Sequence, residues 1–151
     1  MQVRDILAVK GSTVFSIGPN DTIGAFCRLL REKRIGASIV STDGRRIEGV
    51  ISERDIAYGL AVHGADLDTM PVSALMTKTV ITCTPTDAIA MVASMMQSRN
   101  IRHIPVEDNG FAVGMVSIRD VLNFRVANLQ QETAMLSSFV REAGRPPQDR
   151  D

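Results

Sequence analysis

The order of apolar and polar positions along this 151-residue chain repeats itself after about 66 residues. Residues 79–89 show the same succession of β-branched, turn and polar residues as residues 13–23, at an offset of 66. Residues 114–121 repeat residues 49–56 at an offset of 65. A duplication of this length predicts two copies of one supersecondary unit, neither of which buries its core alone. We therefore expect function where the two copies face each other.

The periodicity predicts the same five elements in each copy: a strand, a helix, two strands and a second helix, an α/β arrangement. In the first copy, residues 13–17 are the predicted first strand, and Asp21 is the expected N-cap of the helix that follows. Asp87 has the same position in the second copy. Five residues separate Leu7 from the first copy's strand, whereas only two separate Met76 from the second copy's strand. The first copy therefore carries the longer loop.

The last helix is predicted to be longer than its counterpart in the first copy. From Arg119 to about Glu142, apolar residues recur at spacings of four and three with one polar break, a pattern typical of a heptad seam. The seam residues are Leu122, Val126, Leu129, Thr133, Leu136 and Val140. The predicted organisation is a first motif at 1–63, a linker at 64–71, a second motif at 72–128, a helical extension at 129–143 and a disordered tail at 144–151.

Composition narrows the possible partners. Lys plus Arg and Asp plus Glu number 17 each, so no net charge attracts polyanions, which argues against nucleic acid as the main partner. The N-terminus lacks the layout of a signal peptide, and no apolar run is long enough to span a membrane. The two cysteines have no CxxC spacing and are expected to be buried, reduced thiols, as is typical of a cytoplasmic protein. Scattered His and Cys residues predict no metal site.

A repeated Ser-x-x-Asp element is the first candidate for chemistry. Ser52 with Asp55, and Ser117 with Asp120, each follow an apolar strand and open a helix. The N–H groups at a helix start favour an anion, and an acidic residue one turn later can accept hydrogen bonds from ribose hydroxyls. A capping box gives the same pattern without a ligand. Recurrence in both copies, each time beside an arginine, favours binding.

The strand around residues 102–106 is the second candidate. Pro105 cannot donate to a sheet ladder, so it belongs at an edge or where a ligand approaches the backbone. Arg102 and His103 favour a phosphate contact, although ordinary surface side chains are the alternative. The first copy lacks these groups at the corresponding positions, but its Gly36 allows close approach of a ligand to the backbone.

Together these elements resemble a tandem pair of cystathionine-β-synthase (CBS) domains. The resemblance spans residues 3–128 and rests on the strand start Thr79-Val80, the strand with Pro105, the Gly-x-x-Ser-x-x-Asp closure of both copies, and Met76-Thr77. It implies two β-α-β-β-α motifs, related by a pseudo-twofold axis and packed sheet to sheet, with a long C-terminal helix added. It also implies a stand-alone regulatory module that forms a homodimer.

The resemblance further implies an adenosine-containing ligand between the copies: AMP, ADP, ATP or NAD(H), or less favourably S-adenosylmethionine, with no metal required. By the family pattern, the first site comprises Thr13, Val14, Ile35, Gly36, Ala37, Ser52, Arg54 and Asp55. The second site comprises Lys78, Thr79, Val80, Arg102, His103, Pro105, Ser117, Arg119 and Asp120. The implied role is non-catalytic sensing of energy or redox state, reported to a protein target that the sequence does not identify.

Two other classes of function stay open. An enzyme would use Ser117, His103 and Asp120 as nucleophile, base and acid. The sequence shows no nucleophile elbow, however, and the first copy has no histidine at the position of His103. An adaptor without ligand, docking on another protein through its C-terminal helix, would explain the heptad seam.

Overall fold

The computed structural model describes residues 1–145 and confirms the mixed α/β class, with two similar halves and a long C-terminal helix. The helices are α1 (Val3–Lys10), α2 (Ile23–Lys33), α3 (Glu53–His63), α4 (Ile89–Arg99) and α5 (Ile118–Ala143). The strands are β1 (Ser16–Ile17), β2 (Ala37–Val40), β3 (Gly49–Ser52), β4 (His103–Asp108) and β5 (Phe111–Ser117). Two 3₁₀ helices, Gly64–Thr69 and Val72–Ala74, connect the first half (β1 to α3) to the second half (residue 79 to the end of α5). The predicted tail beyond Arg145 lies outside the described residues.

Each half has one sheet, and the first strand of each is shorter than predicted. In the first half β2 pairs in parallel with β1 and antiparallel with β3. In the second half β4 and β5 are antiparallel, and the first strand is reduced to a bridge between Cys83 and Val106. The Cys83 N–H donates to the Pro105 carbonyl at 3.0 Å, and the Glu107 N–H donates to the Cys83 carbonyl at 2.8 Å. The next bond of this parallel ladder would need an N–H on Pro105, so the ladder ends there.

The predicted N-caps Asp21 and Asp87 are wrong by one residue, because Thr22 and Ala88 precede α2 and α4. Thr22 Oγ1 accepts the Ala25 N–H at 3.1 Å, as an N-cap does. Asp21 Oδ2 instead accepts the N–H of the residue three positions earlier at 2.8 Å, and Asp87 Oδ2 does the same at 2.8 Å. The two aspartates therefore close the turn that leads into each helix, one step before the cap.

Helix α1, which the periodicity did not predict, packs against the second half rather than the first. The Val3 N–H donates to the Asp87 carbonyl at 2.9 Å, and the Ile89 N–H donates to the Met1 carbonyl at 3.1 Å. Val3 and Ile6 are buried in the apolar core of the second half. The first copy of the sequence thus supplies a helix to the fold of the second.

The segment between the halves makes the reciprocal contact. The Ile23 N–H of α2 donates to the Met70 carbonyl at 2.8 Å, and the Val72 N–H donates to the Asp21 carbonyl at 2.8 Å. Leu67 and Val72 are buried in the core of the first half. Each half is therefore completed by the segment that precedes the other half.

Two glycines show that the exchanged segments occupy equivalent places. A Cβ atom on Gly114 of β5 would lie 2.8 Å from Leu7 Cδ2, and one on Gly49 of β3 would lie 2.7 Å from Met76 Sδ. Real Cβ atoms do not approach other atoms this closely, so a side chain at either position would displace Leu7 or Met76. The glycines let the exchanged segments lie directly on the sheets.

Helix α5 confirms the predicted length of the last helix, and most of its surface is exposed. Val121 is buried in it, whereas the apolar seam residues range from 52% exposed at Val126 to 73% exposed at Val140. The seam therefore forms an apolar stripe that the rest of the described chain leaves uncovered. Among residues 1–145, no helix combines the length and the apolar character that crossing a membrane requires.

The cysteines are free thiols in different environments. Cys83 is buried in the core of the second half, as expected from the sequence, whereas Cys27 on α2 is only half-buried. Burial, with a smaller contribution from the charge of Asp87, raises the pKa of the Cys83 thiol to about 12. Cys83 is therefore protonated at neutral pH and acts as an apolar core residue.

We predict that Ile6→Ala lowers the free energy of unfolding by about 2–5 kcal/mol, because Ile6 is 3% exposed and its truncation leaves a cavity in the second half. Val9→Ala on the same helix is the control and should change stability by less than about 0.5 kcal/mol, since Val9 is 84% exposed. Urea unfolding measures both. Equal effects of the two substitutions would contradict the packing of α1 on the second half.

Candidate functional site

Two clefts open where the halves meet, and both are lined from both halves. Cleft A has a volume of about 420 Å³ and contains the start of α3, whereas cleft B has a volume of about 460 Å³ and contains the start of α5. Glu53, Arg102 and His103 line both clefts. A Cβ atom on Gly36 would lie 3.1 Å from His103 Nε2, so the halves touch at this point. This contact divides the groove between the halves into two.

The structure groups the candidate residues differently from the sequence-based assignment by copy. Cleft A is lined by Ser52, Arg54 and Asp55 of the first half together with Thr79, Val80, Arg102, His103 and Pro105 of the second. Cleft B is lined by Thr13, Val14, Ile35, Gly36 and Ala37 together with Arg102, His103, Ser117, Arg119 and Asp120. Lys78 lines neither cleft. Each Ser-x-x-Asp element thus faces the strand start of the opposite half, because the halves meet face to face at Gly36 and His103. The role of these residues in binding stays a prediction.

Both Ser-x-x-Asp elements form capping boxes. The Ser52 N–H donates to Asp55 Oδ2 at 2.9 Å, and the Ser117 N–H donates to Asp120 Oδ2 at 2.8 Å. The Asp120 N–H in turn donates to Ser117 Oγ at 3.1 Å. Within residues 1–145, no hydrogen bond reaches Oδ1 of either aspartate. Capping therefore occupies one carboxylate oxygen and leaves the other to accept a hydrogen bond in the cleft.

Lys10 is a cleft residue that the sequence reasoning missed. Its Nζ lies 2.6 Å from Asp120 Oδ2 and donates to the Met115 carbonyl at 2.5 Å. Lys10 ends α1 and lines cleft B, whereas the shorter segment before the second half places no lysine in cleft A. The longer loop after Leu7 was the sequence signal that pointed to this difference.

The environment of cleft B shifts two titratable groups. Burial opposes ionisation of Asp120, but the hydrogen bonds from Lys10 and Ser117, with the charge of Lys10, outweigh it and lower the pKa of Asp120. Burial lowers the pKa of His103, while the carboxylates of Glu53 and Asp120 oppose that shift and Lys10 and Arg102 add to it. A neutral His103 beside an ionised Asp120 is the result at neutral pH.

The side chains of the proposed catalytic set do not form a relay. Ser117 Oγ accepts the Asp120 N–H, and no hydrogen bond joins His103 to Ser117 in the described part of the chain. His103 and Ser117 are register partners on β4 and β5, so strand pairing alone places the two residues side by side. Nor do residues 1–145 contain a group of three or more side chains suited to hold a metal ion.

Comparison with known proteins agrees with this architecture. The family model for the CBS domain matches residues 3–61 and 72–127. A CBS-domain protein from Agrobacterium tumefaciens is 34% identical with a TM-score of 0.80, and the match covers 83% of this chain and 99% of that one. A CBS-domain protein from Pyrobaculum aerophilum, solved in complex with AMP, is 30% identical with a TM-score of 0.74, and the match covers 88% of this chain and 99% of that one. The CBS domain pair of protein MJ0100, solved with 5-methylthioadenosine and S-adenosyl-L-methionine, is 26% identical with a TM-score of 0.74, covering 85% and 98%.

We predict that acidification destabilises the protein in the range where the unfolded chain titrates histidine. Burial holds the pKa of His103 below 6.5, so the unfolded chain binds the proton more readily, and stability falls as the pH falls through and below 6.5. His103→Gln should reduce this slope, because glutamine does not titrate. Urea unfolding at about pH 7.5 and about pH 5.5 measures it.

The exposed His63 provides the matched control for this experiment, since His63→Gln removes one histidine without touching either cleft. We expect His103→Gln to change the pH slope more than His63→Gln does, because His103 is enclosed at the contact between the halves and His63 is exposed. If His103→Gln and His63→Gln have the same slope, the burial of His103 at the contact between the halves is wrong.

Proposed function

The chain belongs to the CBS domain family, and on that premise we propose that it is a non-catalytic regulatory module that binds an adenosine-containing ligand in each cleft. The ligands we favour are AMP, ADP, ATP and NAD(H). The observation that carries the proposal is the Ser-Arg-Asp set repeated at both clefts, each aspartate with one oxygen free of hydrogen bonds in the described chain. Two similar proteins, one solved with AMP and one with 5-methylthioadenosine and S-adenosyl-L-methionine, support this chemistry.

Each cleft offers the three kinds of contact that such a ligand needs. The free oxygen of Asp55 or Asp120 accepts hydrogen bonds from ribose hydroxyls. Apolar side chains face the base, among them Val80 and Ile81 in cleft A and Val14 in cleft B. Arginines and the N-terminal N–H groups of α3 and α5 attract phosphate. The same groups would accept the ribose of S-adenosylmethionine, which stays the alternative ligand.

Ligand binding would act as a signal through the relative arrangement of the halves. A ligand that contacts both walls of a cleft favours the arrangement in which the walls fit it best, and it shifts the population by its difference in affinity. Helix α5 starts at the Ser117 cap in cleft B and runs for 26 residues, so a movement at its start is carried to its exposed end. We propose α5 as the output of the module.

We also propose that the module is a homodimer, with the apolar stripe of α5 at its interface. The stripe contains Leu122, Val126, Leu129, Leu136 and Val140, all more than half exposed. Tyr58 and Val62 of α3 are also largely exposed, at 66% and 77%. Apolar surface of this extent marks an interface in soluble proteins. An adaptor that docks on a different protein through the same stripe is the second candidate.

We predict that AMP, ATP or NADH stabilises the protein. Asp55→Asn and Asp120→Asn should each weaken one of two binding events by about tenfold or more, because each removes a charged hydrogen-bond acceptor. Saturating ligand at about a hundred times Kd should raise the unfolding free energy by about 2.7 kcal/mol. Asparagine keeps an oxygen for the serine N–H, so the cap persists. Calorimetric titration gives stoichiometry and affinity, and thermal melts give stability.

Asp87→Asn is the control, because Asp87 Oδ2 also accepts the N–H of the residue three positions earlier but lies outside both clefts. It should leave affinity unchanged. If the Asp55 and Asp120 variants lose stability but keep full affinity, the two aspartates serve only as caps. A flat melting temperature across the whole panel of adenosine ligands, for protein shown free of copurified nucleotide by its absorbance, would reject the proposal.

A separate prediction concerns the dimer. Leu129→Asp places a charge in the middle of the apolar stripe and should shift the sedimentation coefficient from dimer toward monomer. Gln131→Asp adds the same charge two residues later, on the other side of α5, and should leave the dimer intact. A chain that sediments as a monomer without any substitution would favour the adaptor.

A further inference from the structure

We propose that the two clefts select ligands of different charge: cleft B takes an adenosine di- or triphosphate, and cleft A takes an adenosine derivative without a polyphosphate. This inference rests on the proposed function, because it assigns ligand classes to the same two clefts. It is carried by four differences between the clefts.

The first difference is the charge of the lining. Cleft A is lined by the cations Arg54 and Arg102 and the anions Glu53 and Asp55, which balance. Cleft B is lined by the cations Lys10, Arg34, Arg102 and Arg119 and the anions Glu53 and Asp120, which leaves two excess positive charges with His103 neutral. A polyphosphate carries several negative charges, so it is attracted to cleft B and gains little from cleft A.

The second difference lies where α2 and α4 end. Arg34 and Asn100 are the C-caps of these helices, and both adopt the left-handed conformation, with φ of 53° and 51°. Asparagine is favoured in this conformation, whereas arginine has no such preference. Asn100 lines cleft A and Arg34 lines cleft B. The second half thus has the residue that suits the backbone, and the first half has one that adds a cation to cleft B.

The third difference is Lys10 itself. In the first half, the Val50 carbonyl accepts the Thr77 N–H at 2.8 Å, a backbone contact from the exchanged segment. The equivalent carbonyl in the second half, on Met115, accepts the ammonium of Lys10 at 2.5 Å. The extra residues between Leu7 and the first strand therefore replace a neutral N–H by a cation that also contacts Asp120.

The arginines of the two elements also differ in availability. Arg54 Nη1 donates to the Asn100 carbonyl at 2.9 Å, which ties this side chain to the end of α4. Within residues 1–145, no such bond holds Arg119, its equivalent in cleft B. Arg54 of cleft A is therefore already hydrogen-bonded to the backbone, whereas Arg119 of cleft B is available to a ligand.

The test measures each cleft separately with adenosine, AMP, ADP and ATP as probes. Asp55→Asn weakens cleft A and leaves cleft B unaltered, and Asp120→Asn does the reverse. A two-site fit of calorimetric titrations at fixed low ionic strength then gives the Kd of each probe in the unaltered cleft. We expect ADP to bind cleft B at least about tenfold more tightly than adenosine does, and AMP, ADP and ATP to differ from one another by less than about threefold in cleft A. The comparison uses the ratio of the Kd values of two probes in the same variant. A change in affinity for the ribose, which all the probes share, therefore cancels.

Two substitutions in the cleft B background then locate the preference. Lys10→Met removes the charge and keeps the apolar stem, and Arg34→Asn installs the residue that the other half has at the equivalent left-handed position. Each should reduce the ratio of adenosine Kd to ADP Kd by about threefold or more, and together they should abolish the preference. Lys33→Met, an exposed lysine of α2 outside both clefts, should leave it unchanged.

Each outcome decides the matter. Equal ratios in the two isolated clefts, or a cleft B preference that survives the double substitution, overturn the charge assignment while leaving the proposed function intact. If no probe binds either cleft of the unaltered chain, the proposed function fails and this inference fails with it. A preference confined to cleft B and lost with Lys10 and Arg34 supports the proposal.

Discussion

The rest of the structure depends on the burial of two valines. Val3 leads into the first half but lies in the core of the second, and Val72 leads into the second half but lies in the core of the first. Each core is therefore completed by the segment that leads into the other half. The clefts lie where the halves meet, on the two sides of the contact between Gly36 and His103.

The same exchange makes the clefts unequal. The two exchanged segments meet equivalent glycines, Gly114 and Gly49, through Leu7 and Met76. They then diverge, because α1 continues for another turn to Lys10 while its counterpart is a single short 3₁₀ helix. A symmetric pair of capping boxes is thus combined with an asymmetric set of cations. Cleft B acquires Lys10 from the longer segment after Leu7 and Arg34 from the end of α2, and neither residue belongs to a core.

The sequence predicted the elements that local pattern determines and missed those that depend on distant contacts. The repeat, the two Ser-x-x-Asp helix starts and the long last helix were all visible as patterns along the chain. The caps were misplaced by one residue because Asp21 and Thr22 both suit a helix start, and only the hydrogen bond from Ala25 distinguishes them. Helix α1 and the mixed lining of the clefts depend on which half each segment packs against, and no local pattern encodes that choice.

The exchanged segments also bear on how a duplicated chain of this kind could arise. In a single ancestral unit, the first segment would not pack on its own sheet. The groove beside the glycine of that sheet would be exposed to water, and so would the valine of the segment. Two such units could bury both the groove and the valine only by exchanging these segments between two separate molecules. The linker of residues 64–71 would then have joined a pair that was already mutually dependent, and its Leu67 would have added a contact to the core of the first half.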